Sequence, residues 1–218
     1  MTKTNIGLVE YARKALAERW GYVWGTFGYM LTEALFEEKL KQYPNEVGKY
    51  EAFIRSNWIG KRTVDCIGLI KAYLWDADGS IKYDPKTDIN VPGMVYAAKE
   101  KGPISTLPDI PGVLVYKQGH IGVYIGAGQV IESKGTKYGV VKTPLKGAGS
   151  TPWTGWCKCP YIEYVEEPKP EPATKDEISP WAKEAAAWVK EKGISDGTRP
   201  KDTITREEVW TMLYRMRG

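Results

Sequence analysis

Histidine is almost missing from this chain: His120 is the only one in 218 residues. A mechanism that needs an imidazole base therefore has one candidate, and paired-histidine metal spacings are excluded. Cysteine is scarce as well. Cys66, Cys157 and Cys159 are an odd number, two of them at C-x-C spacing, which makes neither a disulfide framework nor a good zinc set. No metal and no cofactor is expected. No stretch approaches the ~18 apolar residues of a membrane helix, so no membrane partner is expected. Residues 1–20 lack the apolar core and small-residue cleavage site of a secretory signal, and synthesis in the cytoplasm is the expectation. Arginine-rich runs are absent, and 31 Lys plus Arg against 27 Asp plus Glu leave a net charge of only +4. That balance suits an anionic polymer without the signature of a nucleic-acid binder.

Against 3 Phe stand 14 Tyr and 9 Trp, amphipathic rings that suit carbohydrate-rich ligands as well as ordinary cores. A hydrophobic share of 42% supports a packed core, and the length allows one ordinary domain with a small second one. Helical spacing marks residues 5–20, 30–42 and 46–56, a helix beginning near Cys66, and a short one over 94–100. The texture then changes to β-branched and aromatic runs: Val113–Tyr116, His120–Ile125, Gln129–Glu132, Tyr138–Lys142 and Tyr161–Val165. Helices followed by antiparallel strands predict an α+β domain over residues 1–165. Residues 166–177 are proline and charge with no apolar face, which reads as an extended linker. Beyond it, Ser179-Pro180 opens one helix, and a Thr205-Arg206-Glu207-Glu208 capping box opens another. Together, residues 178–218 make a small helical module that buries little by itself.

Cys66, in Asp65-Cys66-Ile67-Gly68-Leu69, stands at a predicted helix start, where the dipole favours a thiolate. His120, on a strand packed against that helix, would be its base, and a third polar group must hold the ring. Glu132 is the candidate. A turn at Ala127-Gly128 carries the next strand back, setting Glu132 opposite about Tyr124 or Val123 and within a diagonal step of His120. Whether it shares the His120 face depends on the turn type.

Four segments in order then resemble the NlpC-type cell-wall cysteine peptidases: Tyr22-Val23-Trp24-Gly25, Asp65-Cys66-Ile67-Gly68-Leu69, Pro111-Gly112-Val113-Leu114-Val115, and His120-Ile121-Gly122-Val123-Tyr124-Ile125-Gly126. The likeness spans roughly residues 5–165. It implies a papain-like fold that cleaves peptidoglycan stem peptides, with Cys66 as nucleophile, His120 as base and Glu132 orienting the histidine. It further implies that Tyr22 helps hold substrate or the oxyanion and that Asp65 meets a stem-peptide amine. On the bland alternatives, Tyr22 is a core ring and Asp65 merely a helix cap. Three features depart from the family pattern: Ile67 replaces the usual serine, the orienting residue is an acid, and Thr26 to Val64 is a longer segment than usual, suited to wall a substrate groove. Trp153 and Trp156 either rim that groove or pack, while Cys157 and Cys159 read as inert packing.

The tail segments Trp181-Ala182-Lys183-Glu184-Ala185, Gly193-Ile194-Ser195-Asp196-Gly197 and Ile204-Thr205-Arg206-Glu207 resemble a single shortened S-layer homology unit. That likeness implies binding to an anionic secondary cell-wall polymer, and one copy per chain suggests self-association into a homo-oligomer or a weak anchor. The combination is similar to a phage or prophage endolysin, made in the host cytoplasm and acting on a Gram-positive wall after release. An N-acetylmuramoyl-L-alanine amidase with the same three residues is the nearest rival. An acyltransferase on this fold and a non-catalytic wall-binding protein are more distant ones.

Overall fold

In the computed structural model, which describes residues 2–166, 178–198, 200 and 202–217, the chain divides into two units, Met1–Val165 and Glu166–Gly218. Helix α1 (Asn5–Ala17) starts where the Thr4 side chain accepts a hydrogen bond from Gly7 N, and it buries Leu8, Val9, Ala12 and Ala15. It ends three residues before the expected Trp20. Arg19 takes a positive φ of 54° and Trp20 N turns back to Ala15 O, which folds the Trp20 ring into the core.

The segment after Gly25 differs from the helix expected over 30–42. Strand β1 (Phe27–Met30) runs first and pairs antiparallel with β2 (Arg62–Val64). Thr32 then caps α2 (Glu33–Gln42), its hydroxyl accepting from Leu35 N. The helix expected at 46–56 is split into α3 (Pro44–Val47), a 3-10 turn and α4 (Glu51–Asn57). These elements carry a core of their own, made of Val23, Leu31, Phe36, Val47, Ile54 and Trp58. Arg55 ties them from outside. It bonds Glu33, Glu37 and Glu51, and its guanidinium lies 4.4 Å from the Phe36 ring centre.

Helix α5 (Gly68–Trp75) is followed by a small hairpin, β3 (Asp76–Ala77) and β4 (Ser80–Ile81). Helix α6 (Val91–Ala97) opens under an Asn90 cap with Pro92 in its first turn, a few residues earlier than expected. The main sheet follows: β5 (Lys101–Pro103), β6 (Leu114–Lys117), β7 (His120–Tyr124), β8 (Gln129–Gly135), β9 (Gly139–Pro144) and β10 (Gly155–Cys157), in the order β5-β10-β6-β7-β8-β9. All its pairings are antiparallel. One face, with Leu114, Ile121, Val123 and Ile131, packs on Leu8, Ala12, Leu69 and Ile70 of α1 and α5. Each such side chain contributes about 1.5–3 kcal/mol when fully buried. The other face gathers Val115, Tyr124, Val130 and Trp153. This is the α+β architecture expected, with a helix start packed against an antiparallel sheet. Tyr161–Val165 is not a strand. It makes one isolated bridge at Glu163, and the Tyr164 hydroxyl binds Cys159 N and Gly112 O instead.

In the smaller unit, α7 (Lys183–Glu191) follows a 3-10 turn over Pro180–Ala182, and Ser179 makes no side-chain cap there. Helix α8 (Arg206–Arg215) has both halves of the Thr205/Glu208 capping box. Among its described residues only Ile194 is a buried hydrophobic side chain, while Trp181, Trp210, Leu213 and Tyr214 are exposed. The linker expected over 166–177 lies, beyond Glu166, outside the described residues.

Candidate active site

The hairpin between β7 and β8 turns through Ala127 and Gly128, at φ of 49° and 66°, a left-handed pair that two-residue hairpins favour. Its register pairs Tyr124 with Val130 and Val123 with Ile131. One step further sets Glu132 beside Gly122, one to two residues from the partner expected. The difference decides the face: paired with Gly122, Glu132 lies on the same side of the sheet as His120, whereas paired with Val123 it would point at the helices. Gly122 is the residue that makes room. A Cβ there would meet Val130, Trp153 and the Glu132 Cβ at 2.8, 3.0 and 3.2 Å.

His120 Nε2 lies 2.6 Å from Glu132 Oε2. Glu132 is fully buried, and its other contacts are hydroxyls. Thr143 donates to Oε1 at 2.7 Å, and Thr151 lies 2.8 and 2.9 Å from the two carboxylate oxygens. Burial by itself would raise the carboxyl pKa, but the bonds from His120, Thr143 and Thr151 outweigh it and hold the group below its ordinary range. An ionised carboxylate only accepts, so Nε2 carries the ring proton and the neutral imidazole keeps its lone pair on Nδ1. The ring also stacks on Trp153, with centroids 5.5 Å apart and planes 11° from parallel.

Cys66 lies just before regular helix rather than in it, since α5 begins at Gly68. Asp65 does the capping: its Oδ1 accepts from Gly68 N at 2.6 Å and its backbone oxygen from Leu69 N. Its Oδ2 accepts from Gly25 N at 2.9 Å, which ties the Tyr22–Gly25 segment to the start of α5. Burial raises the Asp65 carboxyl even against these bonds and the Lys71 charge. Cys66 Sγ is 3.8 Å from Gly119 O, and the Ile121 N–H also reaches it, so the sulfur rests against the backbone on both sides of His120. Burial, then the Asp65 charge, pushes the thiol up to about 12, more than the N–H groups of Ile67, Ile121 and Cys66 bring it down. Desolvation thus exceeds the helix-start effect expected to favour a thiolate. Tyr22 is buried, and its hydroxyl pKa is raised first by burial and then by the neighbouring Cys66 and Asp65.

The structure therefore brings Cys66, His120, Glu132, Tyr22 and Asp65 into one region, with Asp65 engaged as a cap. Thr143 and Thr151 were not singled out from the sequence. Thr143 pairs with Val130 on β9 and so shares the Glu132 face, a relation that hairpin register could have revealed. Thr151 lies in a loop with no such signal. Of the two tryptophans weighed for the rim, Trp153 stacks on His120, while Trp156 donates to Thr106. Cys157 and Cys159 are buried free thiols, both pushed up to about 12 chiefly by burial.

Residues 55–156 match the model of the NlpC/P60 family, a span that contains Cys66, His120 and Glu132 and supports an NlpC/P60 domain in the larger unit. Among solved structures, the peptidoglycan hydrolase RipB from Mycobacterium tuberculosis is similar at 19% identity, over 73% of this chain and 67% of that one, with a TM-score of 0.38. The P60 domain of antigen MAP1204 from M. avium subspecies paratuberculosis is similar at 20% identity, over 73% and 98%, with a TM-score of 0.37. NlpC2 from Trichomonas vaginalis is similar at 15% identity, over 72% and 47%, with a TM-score of 0.40. No curated protein matches the chain.

Proposed function

We propose that the larger unit is a cysteine endopeptidase that hydrolyses stem-peptide amide bonds of peptidoglycan. The observation that carries this reading is the 2.6 Å bond from His120 to a buried Glu132, within a span that matches the NlpC/P60 model and beside the Cys66 sulfur. Because burial keeps the resting thiol protonated, attack and proton transfer go together. Cys66 Sγ bonds to the amide carbon as His120 Nδ1 takes the thiol proton, and the carbonyl electron pair moves to oxygen. In this reading the backbone N–H of Cys66 and the Tyr22 hydroxyl donate to that oxyanion. Collapse breaks the C–N bond while the imidazolium protonates the leaving amine. Water, deprotonated by the same nitrogen, then cleaves the thioester and restores the thiol. Glu132 accepts from Nε2–H throughout and stabilises the imidazolium.

The smaller unit belongs to the same proposal as a holder for an anionic wall polymer, a role supported by exposed Trp181, Trp188 and Trp210 and its resemblance to an S-layer homology unit. The pairing of such units is that of an endolysin acting on a Gram-positive wall. Digestion of purified Gram-positive peptidoglycan by the wild type and by Cys66→Ala, with released ends identified by mass spectrometry, tests it. New stem-peptide amino termini made only by the wild type are expected. Lactyl ends freed from L-alanine would replace the endopeptidase with an amidase, and equal digests would remove Cys66 from the chemistry.

A further inference from the structure

Glu132 is an unusual orienting group because a carboxyl can also hold a proton. If it did, it could donate to a bare Nε2, the ring proton would sit on Nδ1, and no lone pair would be left for the thiol. What prevents this is the number of donors aimed at the two oxygens. His120 Nε2 lies against Oε2, the Thr143 hydroxyl donates to Oε1, and the Thr151 hydroxyl sits between both. With two hydroxyls donating to a buried group, the accepting form is the one that keeps both bonds and leaves the side against Nε2 able only to accept. The donors come from separate places, strand β9 for Thr143 and the loop after it for Thr151, so the carboxylate cannot pivot without breaking one of them. Trp153, two residues beyond Thr151, covers the face of the His120 ring. Its Nε1 is buried with no hydrogen-bond partner among the described residues, so what it supplies there is ring surface rather than a polar contact.

We propose that Thr143 and Thr151 are positioning residues that fix the tautomer of His120 by clamping Glu132 as a pure acceptor, with Trp153 holding the plane of the ring. This rests on the assignment of Cys66, His120 and Glu132 above, but the tautomer can be read without any substrate. His120 is the only histidine, so long-range proton–nitrogen NMR of the full chain labelled in histidine yields one imidazole, and a protonated ring nitrogen is readily told from a bare one.

In the wild type, where the ring carries a single proton, that proton is expected on Nε2 alone. The double variant Thr143→Val/Thr151→Val keeps the side-chain shape but removes both hydroxyls. A mixture of tautomers is expected there, with KM unchanged and kcat on peptidoglycan lowered in step with the fraction that lacks a bare Nδ1, about twofold at an even mixture and about tenfold where nine-tenths of the rings are affected. Thr143→Ser/Thr151→Ser retains the donors and is expected to restore both the single tautomer and the rate, which a packing role would not do. Trp153→Leu should preserve the tautomer and lower kcat. If the double valine variant does not fold, each single valine variant is expected to give a smaller shift in the same direction. A folded valine variant, double or single, with Nε2–H alone and the wild-type rate overturns the clamp. A wild type that leaves peptidoglycan intact overturns the enzymatic reading, and the spectra still decide the clamp.

Discussion

Replacing Gly122 by alanine tests the link between packing and chemistry at one atom. The added Cβ would lie 2.8 Å from Val130 Cγ1, 3.0 Å from Trp153 Cη2 and 3.2 Å from Glu132 Cβ. Val130 is fully buried and β-branched, so it cannot swing aside. Trp153 and Glu132 must therefore move by a few tenths of an ångström or more, and these are the two groups that hold His120. Overpacking of this kind costs about 1–3 kcal/mol. Alanine recovers roughly 0.5–1 kcal/mol by narrowing the unfolded ensemble, leaving a net loss of about 1 kcal/mol at mid-range and at most about 2.5 kcal/mol. For a unit of this size that lowers Tm by about 2–4 °C at mid-range and at most about 10 °C. The rate should suffer more than the stability. Displacing the base by a sizeable fraction of an ångström costs about 10- to 100-fold in kcat. Thermal unfolding followed by near-UV circular dichroism, with turbidity clearing of peptidoglycan at saturating substrate, gives both numbers. A Gly122→Ala protein with lowered Tm and undiminished kcat would refute the coupling, and one unchanged in both would refute the packing itself.

Glu132→Gln should leave a folded protein with a strongly reduced rate, because the amide is uncharged and cannot stabilise the imidazolium; steady-state kinetics decides it. Since the folded-state pKa of Glu132 lies below the ordinary 4.5, its contribution to stability is present above 4.5 and disappears as pH falls through the lower folded value. Urea titrations of wild type and Glu132→Gln from neutral to acid pH should converge in that range. With the Cys66 thiol pushed up to about 12, alkylation by iodoacetamide should keep accelerating with pH above neutrality; a plateau already reached below pH 7 would instead reveal a preformed thiolate. In the smaller unit, Thr205→Ala removes the hydroxyl that accepts from Glu208 N, leaving the reciprocal bond from Thr205 N to the Glu208 carboxylate, and should destabilise α8 by about 1 kcal/mol, seen as faster amide exchange in its first turn.

The candidate site was legible where choice was absent. A single histidine made His120 the only imidazole available, and the Asp65-Cys66 pair before an apolar helix marked Cys66 as the candidate nucleophile. Glu132 was legible through the turn at Ala127-Gly128, but its register was not. Symmetry about a two-residue turn pairs Glu132 with Val123, but Ile125 and Gly126 both bond Gln129, and that extra residue shifts the register so that Glu132 comes to the His120 face. Strand β10 was illegible for a physical reason: Gly155-Trp156-Cys157 is three residues long and gains its order by pairing on both sides, with β5 and β6. Tyr161–Val165 misled in the opposite way, because Tyr164 has strand-like character yet spends its hydroxyl on two backbone groups. The start of α2 was set by Thr32, a capping signal hidden inside a helical apolar pattern that began too early at residue 30.

The segment between Gly25 and Asp65 has a core largely of its own and is closed outside by Arg55, while its β1–β2 end is tied to the rest of the larger unit, with Phe27 against Trp75 and Ser133 Oγ donating to Val64 O. Gly21 and Thr63 bridge at its base, and Trp58 Nε1 donates to Thr136 O on the β8–β9 turn. Such a segment behaves as an exchangeable cassette. Its helices can drift or be swapped for others of different length and surface, provided that the two ends and the Trp58 anchor are kept, without disturbing the hydrogen bonds around His120. Under the proposed function, selectivity for one wall over another would then change through the cassette while the residues around His120 stay as they are, and retargeting would begin there rather than at the strands.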